Sequence, residues 1–215
     1  PRIRKISFTG SRDVGEHICH TAGLKRVTME LGSNSPVVVM DDADLDKVAD
    51  GVALAGFANA GQVCISAQRI LVEDKVYGDF TEALKTRVEG IATGNPLAEG
   101  TGMGPMIRES DAERVESWVQ EAVAGGARLV TGGSRTGTMH EPTILADVDP
   151  AMRVSCDEIF GPAVALTRVD DIDEAIAIAN DTIYGLSASI FTQDIDRAIK
   201  YAQEVESGNI HINWG

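Results

Sequence analysis

The sequence predicts an α/β protein with a mostly parallel sheet and flanking helices. Three observations carry that expectation. Strand-like apolar runs alternate with helical stretches along the chain, the pattern of βαβ units. The run "PVVVM" (36–40) is continuously apolar between turn residues, as in a strand buried on both faces. The 215 residues are 43% hydrophobic and 24% charged, an ordinary globular balance with material for one sizeable domain, or for one and part of another.

Ile3 to Thr9 reads as a strand, Val14 to Ala22 as a short helix, and Arg26 to Leu31 as a second strand. Pro36 to Met40 follows as the buried strand. The next stretch, 41–60, is a helix that Asp41 or Asp42 can cap, with further acids in its first turn to suit the positive end of the helix dipole. Gln68 to Glu73 is extended and Val76 to Ala92 an amphipathic helix. After a Gly/Pro-rich loop, Glu109 to Ala124 is helical and Arg128 to Thr131 extended. "GGSRTGTMHEP" reads as a loop leading to extended segments at Thr143 to Leu145 and Ala163 to Val169. Asp173 to Asn180 and Ile195 to Val205 are helical; Ala188 to Phe191 and Asn209 to Asn213 are extended. The first 32 residues make one βαβ unit. A doubly wound dinucleotide domain needs two such halves, so its partners are expected upstream.

The net charge of −14 argues against nucleic acid and anionic membranes as partners, because both are polyanions. No run approaches the roughly 18 apolar residues of a membrane span. Cys19, Cys64 and Cys156 are too few for a disulfide framework, which points to a reducing compartment and a cytoplasmic protein. The chain opens "PRIRKISFTG", without Met or a secretion signal, and closes on the strand-like "GNIHINWG". Both ends read as cut from something longer.

Four stretches are candidates for chemistry. "FTGSRDVG" (8–15) sets Gly10 and Ser11 at a strand-to-helix turn, where open backbone and a helix N-terminus suit a dinucleotide, or simply make a βα turn. "TMELGSN" ends a strand on Glu30. Buried there, its carboxyl would be pushed toward the range of a general base; at a solvated strand end it would do nothing. "ANAGQVCISAQR" (58–69) surrounds Cys64 with small residues, leaving backbone open for a substrate at a reactive thiol, although a lone cysteine can equally be structural. "DEIFGP" (157–162) offers Glu158, whose oxygens suit a ribose diol, and Phe160 as a flat wall, or is a plain loop before a strand. His17, His20, His140 and His211 form no zinc set and are expected in solvent. Cys19 and Cys156 are expected as packing residues. "VTGGSRTG" lacks the context of an NTPase phosphate loop.

In this order and at these intervals, "FTGS" with Gly15, "MELG", "ANAGQVC", "EIFGP" and "SGNIHIN" resemble the aldehyde dehydrogenase superfamily over essentially the whole chain. Cys64 follows Glu30 by 34 positions, the family's usual separation of nucleophile and base. The resemblance implies an aldehyde dehydrogenase-like catalytic domain at 33–215, truncated at its end, and at 1–32 the C-terminal remnant of the dinucleotide-binding domain. It implies NAD(P)-dependent oxidation of a small-molecule aldehyde to a carboxylic acid. The Cys64 thiolate would form a thiohemiacetal and then a thioester, and a Glu30-activated water would hydrolyse it. Backbone N–H at the cysteine and an upstream Asn would hold the oxyanion. NAD or NADP would lie along Gly10, Ser11, Leu31, Gly32, Glu158 and Phe160. Glu30 favours hydrolysis over transfer to coenzyme A. Ser33 and Asn34 stand where the family commonly has Gly-Lys. The full-length protein is expected to be a homodimer or homotetramer, and this piece alone to turn over poorly. Two other readings are a cofactor-independent cysteine hydrolase and a non-catalytic relative.

Overall fold

A computed structural model describes residues 2–214; Pro1 and Gly215, the outermost residues of the two expected domains, lie outside them. The first unit is β1 (Lys5–Gly10), α1 (Arg12–Thr21) and β2 (Arg26–Leu31), whose strands pair in parallel as a sheet of their own. The remaining chain lays down β3 (Pro36–Val39), α2 (Leu45–Phe57), β4 (Arg69–Glu73), α3 (Asp74–Glu89), α4 (Glu109–Ala124), β5 (Arg128–Thr131), β6 (Arg135–Thr136), β7 (Met139–His140) and β8 (Thr143–Ala146). It ends with α5 (Arg153–Cys156), β9 (Ala163–Val169), α6 (Ile172–Asn180), β10 (Ser187–Phe191), α7 (Ile195–Glu204) and β11 (Asn209–Ile212).

Seven strands form one sheet in the order β11-β10-β3-β4-β9-β8-β5, parallel throughout except where β5 meets β8. Its central strands are apolar on both faces because both are covered. Val37, Val39, Ile70 and Val72 join the cluster under α2, α3 and α4. Val38, Met40 and Leu71 point the other way, into the cluster with Ala175, Ile176 and Tyr201 of α6 and α7. The β1-α1-β2 unit is different: between residues 2 and 31 only Gly15 and Ala22 are buried.

Several expectations shift. Asp44, not Asp41 or Asp42, caps α2, its side chain accepting from the Lys47 N–H. Asp41 instead pairs with Lys75 and Arg197 at the C-terminal ends of β3 and β4, and these partners hold its carboxyl down at about 2. Asp42 accepts from the Thr192 hydroxyl and the Gln193 N–H. "GGSRTGTMHEP" is not all loop, since β6 and β7 make a small antiparallel hairpin there. His140, at its end, is buried rather than solvated, and burial pushes its pKa down. Cys19 and Cys156 are exposed rather than packed: α1 buries only Gly15 among its residues, and the Cys156 thiol lies beside the Pro150 carbonyl, to which it donates.

The expected helix 41–60 stops at Phe57. Asn59 (φ 51°, ψ 34°) and Ala60 (φ 55°, ψ 39°) turn left-handed, and Gly61 follows at φ 67°. Consecutive left-handed residues cost roughly 1–2 kcal/mol each when they carry a side chain. The turn is held by reciprocal bonds: Gln62 Nε2 donates to the Asn59 carbonyl at 2.9 Å and Asn59 Nδ2 donates to the Gln62 carbonyl at 3.2 Å. Gln62 Oε1 also accepts from the Ile107 N–H at 3.0 Å. Gly61 has no substitute, because a Cβ there would stand 2.1 Å from the Gly161 carbonyl oxygen. Gly61→Ala should therefore lower stability by at least about 2 kcal/mol, combining backbone strain with displacement of the 161 loop. Urea unfolding checks it, and a midpoint equal to the parent's would contradict this account of the turn.

Candidate active site

Parallel strands that lie side by side begin at one edge of their sheet. β3, β4 and β9 are neighbours, so the segments that precede them meet: 32–35, 61–68 and 157–162. Against that edge stand the C-terminal ends of β1 and β2, where open α/β sheets offer backbone to ligands. A cavity of about 710 Å³ lies between them. Gly10, Ser11, Glu30, Leu31, Gly32, Cys64, Glu158 and Phe160, the residues singled out from the sequence, all line it. So do Thr9, Gln62, Val63, Arg114 and Trp118, which the sequence reading passed over.

Cys64 is half-buried. It rides on a tight turn closed by the Ser66 N–H to the Val63 carbonyl, and the Ser66 hydroxyl donates to the Ala55 and Gly56 carbonyls. The left-handed turn at 59–61 thus ends α2 and throws the thiol out of the core into the cavity. Its own N–H donates to no backbone acceptor among the described residues. Glu30 is exposed at the end of β2. Among the described residues β1 and β2 pair only with each other, in a two-stranded sheet of their own.

Glu158 is held on several sides. Its Oε1 accepts from the Ser33 N–H at 3.0 Å, and its own N–H donates to the Tyr184 hydroxyl at 3.4 Å. A Cβ on Gly32 would stand 2.2 Å from Oε2, so glycine is what lets the carboxylate lie against the backbone there. Burial raises the Glu158 pKa, against the opposing effects of the Ser33 N–H and the Arg114 charge. Phe160 sits at φ 44°, strained for a residue with a Cβ, and is 38% exposed. Asn34, one of the departures from the family pattern, is fully buried. Its Nδ2 donates to the Ser155 and Cys156 carbonyls, and its Oδ1 accepts from the Thr182 hydroxyl. Gln68, also buried, spans to the same loop.

Arg114 and Trp118 reach the cavity from α4, four residues apart. The Arg114 guanidinium lies 4.8 Å from the Trp118 ring centroid, and Arg153 lies over the same ring at 5.5 Å. Burial lowers the Arg114 pKa, opposed by Asp111 and Glu158. The β6–β7 hairpin anchors this helix: Arg135 meets Glu116 at 2.9 Å, Glu113 at 3.2 Å and Glu109 at 3.3 Å. The signal for Arg114 and Trp118 was present in the sequence. Arg114 falls outside the Ala112, Val115, Val119, Ala122 stripe by which α4 packs on the core, and Trp118 flanks that stripe, partly buried against the same core. Among the described residues no group of three or more His, Cys, Asp or Glu side chains could hold a metal, and no helix is long and apolar enough to cross a membrane.

Comparison with known proteins agrees on one relationship. The model of the Aldehyde dehydrogenase family matches residues 1–215. The 3-sulfolactaldehyde dehydrogenase of Priestia aryabhattai is 49% identical over 211 residues, 98% of this chain and 44% of that protein. The mitochondrial succinate-semialdehyde dehydrogenase of Arabidopsis thaliana is 42% identical, over 100% of this chain and 42% of its own. The NADP complex of NADP-dependent glyceraldehyde-3-phosphate dehydrogenase from Bacillus halodurans superposes with a TM-score of 0.96 at 40% identity, covering 100% of this chain and 45% of that one. The chain thus spans less than half the length of the relatives it matches. It belongs to the aldehyde dehydrogenase family.

Proposed function

We propose that this chain carries the nucleophile and part of the cofactor cradle of an NAD(P)-dependent aldehyde dehydrogenase that releases a free carboxylic acid. The observation that supports it is a single cavity lined by a thiol, a carboxylate on the facing wall and a second, half-buried carboxylate beside an aromatic ring. In this reading residues 1–32 close a dinucleotide-binding domain, residues 33–215 are the thiol-bearing domain, and the rest of the cofactor pocket comes from a longer protein. The donor set fits the nicotinamide end of NAD or NADP: Glu158 keeps one oxygen for a ribose hydroxyl while Ser33 holds the other, and Phe160 supplies a flat face. Gly10, Ser11, Leu31 and Gly32 offer open backbone along the same wall. A cofactor-free hydrolase would leave Glu158 and the ring without a task.

The chemistry of the chain's own groups follows. The Cys64 thiolate adds to the aldehyde carbon, and the carbonyl pair of electrons moves onto oxygen, where the Cys64 N–H can meet it. Bound nicotinamide would serve as acceptor of the hydride that this adduct loses. What stays on Cys64 is a thioester. Glu30 takes a proton from water, the hydroxide adds to the thioester carbon, and the acid leaves with return of the thiol. Free thiols at Cys19 and Cys156 suit a cytoplasmic setting, and family resemblance supports a homodimer or homotetramer.

The test is an aldehyde panel on the full-length protein with NAD and with NADP, beginning with 3-sulfolactaldehyde, succinic semialdehyde and glyceraldehyde 3-phosphate. Cys64→Ser should cut kcat on the order of 10⁴-fold or more. Glu30→Gln should cut turnover about 10²- to 10⁴-fold, yet still release one equivalent of reduced cofactor per site and accumulate acyl-enzyme visible by mass spectrometry. Wild-type turnover in Glu30→Gln would remove the base from this reading.

The Glu158 environment sets a pH effect with a definite sign. The native state holds this proton more tightly than the unfolded chain, so the group favours folding at low pH, and that contribution is lost as pH rises through its raised native pKa. Glu158→Gln should therefore gain stability relative to the parent as pH rises above the ordinary glutamate value of 4.5, and match it below. Urea midpoints at acid and neutral pH measure the difference; a parent-like trend at both would contradict the buried carboxylate.

A further inference from the structure

We propose that Gln68 is a positioning residue that sets the aim of Glu158. Gln68 is 4% exposed and sits just before β4, four residues after Cys64. Its backbone is fixed by the sheet, with the Ala165 N–H donating to the Gln68 carbonyl at 2.9 Å. Its side-chain amide then reaches across to the neighbouring loop. Nε2 donates to the Asp157 carbonyl at 2.7 Å, and Oε1 accepts from the Ile159 N–H at 2.8 Å.

Those two groups belong to the two peptide planes that flank the Glu158 Cα. The Asp157 carbonyl lies in the plane before it and the Ile159 N–H in the plane after it. Pinning both planes fixes φ and ψ at Glu158, and with them the direction of its Cα–Cβ bond. The carboxylate then arrives where the Ser33 N–H binds Oε1 and Gly32 leaves room for Oε2. Asn34 anchors the preceding turn at Ser155 and Cys156 but touches neither plane. Gln68 is thus the side chain that ties the segment bearing the thiol to the orientation of the carboxylate, and it does so without lining the cavity itself.

The inference rests on the reading that Glu158 holds a cofactor ribose, and a double-mutant cycle in the full-length enzyme separates the two. Gln68→Met keeps the volume but has no amide to offer either peptide plane. The expected result is a rise of about tenfold in the cofactor KM, equivalent to about 1.4 kcal/mol, with kcat changed much less. Gln68→Asn, too short to reach both planes, should rise in the same direction and gives the reading if Gln68→Met does not fold. In the Glu158→Gln background the same Gln68 substitution should add little, because its effect passes through that carboxylate. An additive KM rise in that background, or an unchanged KM in both Gln68 variants while Glu158→Gln raises it, overturns the positioning role alone. An unchanged KM in Glu158→Gln overturns the ribose role and this inference with it.

Discussion

The site depends on one close approach, that of Gly61 to the Gly161 carbonyl. Everything in the thiol segment is arranged to permit it: α2 ends early, two residues with side chains accept left-handed backbone, and Gln62 is spent on holding them there. Without that approach the segments before β4 and β9 could not pack edge to edge, and the thiol and the Glu158 carboxylate would not share a cavity. The strain is thus stored beside the nucleophile, where the surrounding bonds over-determine it.

The sheet topology explains why this edge was chosen. In an open parallel sheet the carboxyl ends of the strands are the usual ligand position. Here the carboxyl edge of β3 and β4 is closed by charge, with Asp41 and Glu73 answering Lys75 and Arg197. The seven-stranded sheet therefore works at its amino edge, and the carboxyl edge that meets the cavity belongs to β1 and β2. Two sheets meet there with opposite ends, one bringing loops rich in side chains and the other bringing open backbone.

Much of this was legible in the sequence, and the reasons are physical. Val37 to Val39 announced a strand covered on both faces, and Glu109 to Ala124 announced a helix by its stripe. The site segments were legible because glycine, a lone thiol and a loop carboxylate each restrict what a stretch can do. Two-residue strands such as Arg135–Thr136 carry no periodicity, so the hairpin that anchors α4 was invisible. The anchoring roles of Asn34 and Gln68 were hidden for another reason: apart from the Thr182 hydroxyl on Asn34, their partners are backbone carbonyls and N–H groups, which no residue type advertises. The burial of His140 and the exposure of Cys156 follow from which side of a short element faces the body, and a few residues do not encode that.

The two walls of the cavity also differ in what backs them within this chain. The wall bearing Cys64 and Glu158 is backed by seven strands and two apolar layers. The wall bearing Gly10, Ser11 and Glu30 is backed by a parallel pair in which almost nothing is buried. A lone pair is marginal, so in the proposed reading its support comes from the rest of the dinucleotide-binding domain. A ligand clasped between the two bridges separately supported walls, so any freedom of one against the other is lost on binding as conformational entropy. Whatever firms β1 and β2 from outside would then tighten the grip without touching the ligand.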